Sequence, residues 1–146
     1  MAEASRRASR RGPENALFVV AAAEQVPHEL REVADELTIL FPWGSLLRGA
    51  LALDDASAAG TASLLAPGGI ATAIVSIEDR DGLDLPRLDA AGIRERWHAH
   101  GIEVCDLRHA TAEEIRATGS TWARRLRADS QRTVWRIHLE RRPGGS

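Results

Sequence analysis

The chain has 146 residues, 44% of them hydrophobic, and a formal net charge of −2. That is enough apolar material for one domain with one core and too little for two, and the overall charge does not mark a polyanion binder. A single cysteine, Cys105, excludes an intrachain disulfide and a cysteine-based zinc site and points to a reducing, cytoplasmic setting.

Residues 1–15 are polar and basic, with four arginines (Arg6, Arg7, Arg10 and Arg11) ahead of a break at Gly12-Pro13. No apolar segment follows directly, so this is read as a basic tail or detached helix and not as a secretory signal. Residues 16–146 form the domain proper. Residues 16–23 are a continuous apolar run, which suits a strand buried on both faces. Residues 28–35 predict a short helix. Residues 36–41 predict a second strand, stopped by Pro42. Gly44 and Ser45 open a helix through Leu51, with Ser45 as its N-cap. Residues 57–65 read as helix and 66–69 as a turn. The third strand is 70–77, followed by an acidic loop over 78–86. Residues 89–100 are helical, and Gly101 ends them. The fourth strand is 102–107. Thr111 opens a further helix with acids in its first turn, which suits the helix dipole. Residues 120–128 read as a loop or short helix. The last strand, 133–140, alternates, as a sheet edge or an antiparallel pair with one wet face would. Alternating strands and helices predict an α/β fold with a mostly parallel sheet. No apolar run approaches the roughly 20 residues needed to span a bilayer.

The usual catalytic sets are poorly represented. His98 and His100 are two apart, which on a helix sends them to different faces, whereas a metal pair wants a spacing of four. No metal site is expected. Cys105 lies inside a strand run and reads as a buried structural thiol. Gly68-Gly69 lacks the spacing of a phosphate loop. All 19 basic residues are arginine. A GC-rich genome explains that bias, and RNA contact is compatible with it. Two tryptophans stand apart. Trp43 follows a strand end between Pro42 and Gly44, where the ligand crevice of an open α/β sheet lies. Trp122 lies among Arg124, Arg125, Arg127 and Arg132, a composition that stacks a base and holds phosphates. The alternative for both is a cap on the core. Trp97 and Trp135 lie in regular elements and are assigned to the core.

Three stretches carry a family resemblance: Ala21-Ala22-Ala23-Glu24, then Leu40-Phe41-Pro42-Trp43-Gly44-Ser45-Leu46-Leu47-Arg48-Gly49, then Ser120-Thr121-Trp122-Ala123-Arg124-Arg125-Leu126. In content and order they resemble the aminoglycoside-resistance methyltransferases that act on N1 of adenine 1408 in 16S rRNA. The similarity runs from about Asn15 to the end. It implies a Rossmann-like class I methyltransferase fold whose N-terminal strands are missing, because no Asp-x-Gly-x-Gly loop stands in this sequence. The expectation is therefore the C-terminal portion of such a domain, its activity doubtful. The alternative is a non-catalytic rRNA-binding remnant.

The resemblance also implies residue roles. S-adenosyl-L-methionine is the implied cofactor. Ala23 and Glu24 match the loop at its adenine, Leu40 and Ser45 its pocket, and Ser120 a serine that sets the later loop against it. Trp43 and Trp122 match the two walls that sandwich a flipped target adenine. Arg125, Arg127 and Arg132 match residues that bind rRNA. The implied partner is 16S rRNA in the 30S subunit, with no membrane and no metal, and the full-length protein is expected to be a cytoplasmic monomer. The chemistry agrees with the sparse inventory. Adenine N1 has a lone pair and no proton, so it needs no strong general base, and catalysis reduces to positioning.

Overall fold

A computed structural model describes residues 15–77, 89–121 and 133–144. In chain order its regular elements begin with two 3-10 turns, Ala23–Gln25 and His28–Leu30. They continue with strand β1 (Ala34–Leu40), helices α1 (Gly44–Ala50) and α2 (Asp55–Leu64), and strand β2 (Leu65–Ile77). Helix α3 (Ala90–Ala99), strand β3 (Ile102–His109), helix α4 (Ala112–Ala117) and strand β4 (Thr133–Arg141) complete the set. The sheet order is β1-β2-β4-β3. β1 runs parallel to β2, while β4 is antiparallel to both β2 and β3. The α/β layering matches expectation, but among the described residues the sheet is mixed, with one parallel pairing in three.

Alternation along β2 sorts its residues between two cores. Ala71, Ala73 and Val75 join the main cluster with Leu47, Ala50 and Leu51 of α1, Ala58 and Ala62 of α2, and Ile93 and Trp97 of α3. Ile74 turns to the opposite face, where it meets Val134 with Phe41, Ala110 and Ile115 packed against them. Trp97 is fully buried, and its indole N–H donates to the Ala50 carbonyl at 3.1 Å. That bond joins α3 to the end of α1 and satisfies the one polar atom of a large core side chain.

Local chemistry sets the helix starts. The Asp54 carboxylate accepts from the Ser57 N–H at 3.1 Å and caps α2, and Asp89 does the same for α3 through Gly92. Thr111 and Glu114 form a reciprocal capping box on α4. Glu114 also takes two hydrogen bonds from Arg108, at 2.6 and 2.8 Å, and pairs with Arg136 at 2.9 Å. α4 is thereby tied to β3 and β4.

Several sequence expectations are corrected. Residues 16–23 form no strand. An apolar run becomes a strand only beside a partner ladder, and among the described residues none pairs with it, so Leu17, Phe18, Val19 and Val20 are exposed. The helix expected over 28–35 is only the turn His28–Leu30, because β1 begins at Ala34 and its pairing with β2 overrides a weak local preference. Ser45 is not the N-cap. The cap of helix α1 lies two residues earlier, at Trp43, with no side-chain cap. The turn at 66–69 survives as a bulge inside β2, with Gly68 at φ +80°. Cys105 is exposed, because the ladder slips between Val104 and Asp106 on an edge strand. Burial and the neighbouring Glu140 still push its thiol pKa up, so it is a poor nucleophile. Trp135, by contrast, packs against the main core as expected, half-buried, and stacks on His109 with ring centroids 3.9 Å apart. The acidic loop over 78–86 lies outside the described residues.

Two measurements test this account. Trp97→Ala should cost about 3–5 kcal/mol in urea unfolding, through a cavity and an orphaned carbonyl. Trp43→Ala, at an 83% exposed position, should change stability by no more than about 0.5 kcal/mol. Equal losses would refute the packing. Separately, the Arg108 guanidinium and the Thr111 N–H hold the Glu114 pKa down at about 2, from 4.5. A carboxyl depressed on folding adds stability that is complete above its unfolded value and is lost as pH falls toward its folded value. Thermal melts should therefore decline between pH 4.5 and 2, and Glu114→Gln should flatten that decline.

Candidate functional site

The site lies at the carboxyl end of β1, where an open α/β sheet binds its ligands. Phe41 leaves the strand at φ 46°, a left-handed conformation that costs a phenylalanine about 1–3 kcal/mol. Its N–H still donates to the Ile74 carbonyl at 2.8 Å, so the strain begins only once the ladder has ended. Pro42 is buried, Trp43 is extended, and Gly44 takes φ +62°. This tight sequence of turns holds Trp43 out into solvent, 83% exposed, without a ring partner among the described residues. The core-cap alternative is therefore set aside for Trp43.

Beside that turn is a pocket of about 470 Å³. It is mainly apolar and its size lies within the usual range for small-molecule sites. Four residues expected from the sequence, Ala23, Glu24, Leu40 and Ser45, line it together. Ser45 explains its own departure from capping. It stands beside the Glu24 carboxylate, and its hydroxyl is the main reason the Glu24 pKa is lowered; the Glu24 N–H and the Ser57 hydroxyl add smaller pulls in the same direction. Glu24 thus remains ionised at the pocket rim. An ionised carboxylate among apolar walls suits a ligand with an apolar ring and a cationic or amino group.

Sequence reasoning missed what holds the Ala21–Glu24 wall in place. The Ala23 backbone lies directly on Gly60 of α2, so closely that a Cβ there would collide with the Ala23 carbonyl. A second glycine, Gly49, lets α1 approach α2; a Cβ on it would lie 2.6 Å from the Ser57 Cβ. Ser57 is fully buried between them, and its hydroxyl makes no hydrogen bond of ordinary geometry despite its influence on Glu24. Thr38, Thr61 and Leu64 also line the pocket. Gly60 gave no sequence signal, because a glycine inside a helix looks only like a weak helix former.

The other expected residues divide two ways. Ser120 follows α4 and is half-buried, with its N–H donating to the Thr118 hydroxyl at 3.2 Å; it does not line the pocket. Trp122, Arg125, Arg127 and Arg132 lie outside the described residues. His98 and His100 face different partners, Glu103 at 2.9 Å and Asp55 at 3.3 Å. Among the described residues no group of three or more His, Cys, Asp or Glu is placed to hold a metal. Nor is any helix among them long and apolar enough to cross a membrane.

Comparisons with known proteins bear on the site. Residues 1–141 match the sequence model of a family described as NpmA: 16S rRNA (adenine(1408)-N(1))-methyltransferase. A 16S rRNA (adenine(1408)-N(1))-methyltransferase of Escherichia coli is 31% identical over 140 residues, covering 88% of this chain and 64% of that protein. An rRNA methyltransferase of Saccharopolyspora hirsuta is 35% identical over 124 residues, covering 79% of each. Among solved structures, a tryptophan-to-alanine mutant of the 16S rRNA (adenine(1408)-N(1))-methyltransferase from Catenulisporales acidiphilia, with cosubstrate SAM, superposes with a TM-score of 0.80 at 29% identity. The overlap covers 100% of this chain and 72% of that one. The chain thus spans about 64% of the length of the Escherichia coli relative.

Gly60→Ala separates the steric account from helix propensity. Alanine should stabilise an exposed helix interior by about 0.5–1 kcal/mol relative to glycine. Here the collision with the Ala23 carbonyl should reverse that sign. The melting temperature should fall, and amide exchange at Ala21 to Glu24 should accelerate. A raised melting temperature would show that the wall is not seated on Gly60.

Proposed function

Since the chain belongs to the 16S rRNA (adenine(1408)-N(1))-methyltransferase family, we propose that it carries the adenine-facing part of an S-adenosylmethionine-dependent methyltransferase acting on N1 of an adenine in 16S rRNA. One observation carries this reading. A strained turn holds an exposed Trp43 beside a pocket lined by Ala23, Glu24, Leu40 and Ser45.

The pocket residues fit the adenosyl part of such a cofactor. Leu40 and the Ala21 to Ala23 backbone offer apolar walls for a ring, and the ionised Glu24 with Ser45 offers polar atoms at the rim. When bound, S-adenosylmethionine supplies an electrophilic methyl group. Everything else asked of this chain is positioning. Trp43 provides one flat wall against which a flipped adenine stacks, worth roughly 1–3 kcal/mol per base. Trp122 is proposed as the opposite wall, Ser120 as the residue setting its loop, and Arg125, Arg127 and Arg132 as phosphate contacts. The target N1 has a free lone pair, so no residue of this chain need remove a proton before the N–C bond forms. The proposed setting is the cytoplasm, with the 30S subunit as substrate, no metal, and a monomeric full-length enzyme. Aminoglycoside resistance is the proposed consequence of modifying that target.

A second reading has its own observation. The chain spans 64% of the Escherichia coli relative's length, so a non-catalytic rRNA-binding protein retaining Trp43 is the alternative. A calorimetric titration of the 146-residue chain with S-adenosylmethionine, followed by methylation of 30S subunits, decides between the two. Saturable binding with methyl transfer, abolished by Trp43→Ala while cofactor affinity changes less than about threefold, supports the enzyme; a residue that contacts only the target should leave cofactor binding intact. A folded chain that binds 16S rRNA but neither cofactor nor methyl group supports the alternative. Full turnover by Trp43→Ala would refute the stacking role.

A further inference from the structure

We propose that Arg48 and Arg116 bind the two RNA phosphates that flank the flipped adenine, one on either side of Trp43. The proposal rests on the reading of Trp43 as a stacking wall for that base, and it adds two phosphate contacts to those proposed above.

Nine arginines lie in the described residues, and six of them are committed to protein partners. Arg94 and Arg96 donate to backbone carbonyls, Arg108 and Arg136 are held by Glu114, and Arg141 and Arg142 pair with Glu32 and Glu103. The side chains of Arg31, Arg48 and Arg116 are exposed and make no hydrogen bond or ion pair among the described residues. A guanidinium fork without a protein partner is available to grip a phosphate with two hydrogen bonds. α1 contains no acid to neutralise Arg48, and Glu113 of α4 makes no ion pair with Arg116. Glu24 draws its lowered pKa from Ser45, its own N–H and Ser57, so Arg48 takes no part in holding it ionised.

Position separates the three. Arg31 precedes β1, at the opposite end of the strand from Trp43. Arg48 lies on α1, which begins immediately after Trp43. Helical side chains lean toward the amino end, so Arg48 overhangs Gly44, one turn back, where a Cβ would meet nothing within 4 Å. Arg116 follows Ile115, which packs with Phe41 in the second core cluster, and Phe41 stands two residues before Trp43. α1 packs on the main core through Leu47, while α4 covers the opposite face of the sheet. The two unpaired arginines thus approach the Trp43 turn from opposite faces. A flipped nucleotide carries one phosphate on each side, and cations at both offset the cost of unstacking it while fixing its register. Both arginines also stand in the last turn of a helix, where the dipole favours a cation without any RNA. The experiment separates these two roles.

The test measures the affinity of the 146-residue chain for a 16S rRNA fragment containing adenine 1408 over a series of salt concentrations, with folding checked by circular dichroism. Each phosphate contact contributes about 0.7–0.9 to the slope of log affinity against log salt. Arg48→Gln and Arg116→Gln should each weaken binding by about threefold or more and lower the slope by about that amount, and the double variant by about twice as much. Arg48→Lys keeps the charge and should keep the slope. Arg31→Gln removes an equally exposed and unpaired cation at the far end of β1 and should change neither quantity. An unchanged slope in Arg48→Gln or Arg116→Gln, with or without a lowered melting temperature, leaves that arginine only its helix-dipole role and overturns the proposal. An equal loss of slope in Arg31→Gln overturns it as well, since the RNA then senses only general charge, and so does a folded chain with no affinity for the fragment. Methyl transfer is scored separately. The expected slopes without methyl transfer would keep both phosphate sites while the enzyme reading fails.

Discussion

The pocket depends on the Ala23 backbone lying against Gly60. Residues 16–22 have no strand to hold them among the described residues, so the ordering of the Ala21–Glu24 wall comes from its contact with α2, with Ser45 of α1 beside Glu24 in the same pocket. Both helices belong to the β1-to-β2 crossover. α2 is placed against α1 through Gly49, and α1 is placed through Leu47, Ala50 and the bond from Trp97. The geometry of one ligand wall is therefore set by small residues that permit close approach, and less by the side chains that face the ligand.

The opposite end of the sheet uses polar chemistry. Glu114 joins its own helix cap to Arg108 and Arg136, so α4 is held to β3 and β4 by charge-assisted hydrogen bonds with only a small apolar patch around Ile115. α4 is short, and a six-residue helix has little stability of its own. The capping box and the arginines compensate, and they place the start of the segment that contains Ser120. Trp43 is positioned differently again, by backbone strain at Phe41 immediately after a ladder ends. Three physical devices, close packing, ion pairing and strain, thus position the Ala21–Glu24 wall, the end of α4 ahead of Ser120, and Trp43.

Much was legible in the sequence. The apolar content, the alternation of β4, the acid-opened helix after Thr111 and the Gly101 stop each follow from short-range rules, and each has its counterpart in the structure. The grouping of Ala23, Glu24, Leu40 and Ser45 came from motif resemblance, and the structure brings these four to one pocket. Their spacing alone would not have done so, because Glu24 and Leu40 are far apart in the chain and meet only through the fold.

The failures share a cause. Residues 16–23 have the composition of a buried strand, yet strand formation requires hydrogen bonds from a neighbour, and composition cannot report whether that neighbour is present. Cys105 looked buried from its apolar neighbours but lies where an edge ladder slips. Ser45 looked like a cap, but it lies inside the helix and lines the pocket beside Glu24, well before it in the chain. The sequence by itself determined the α/β class, most element positions and the motifs, because those depend on period, turn residues and caps within a few positions. Tertiary structure alone decided the mixed pairing of the sheet and the seating of Ala23 on Gly60, because each depends on which distant backbone stands alongside.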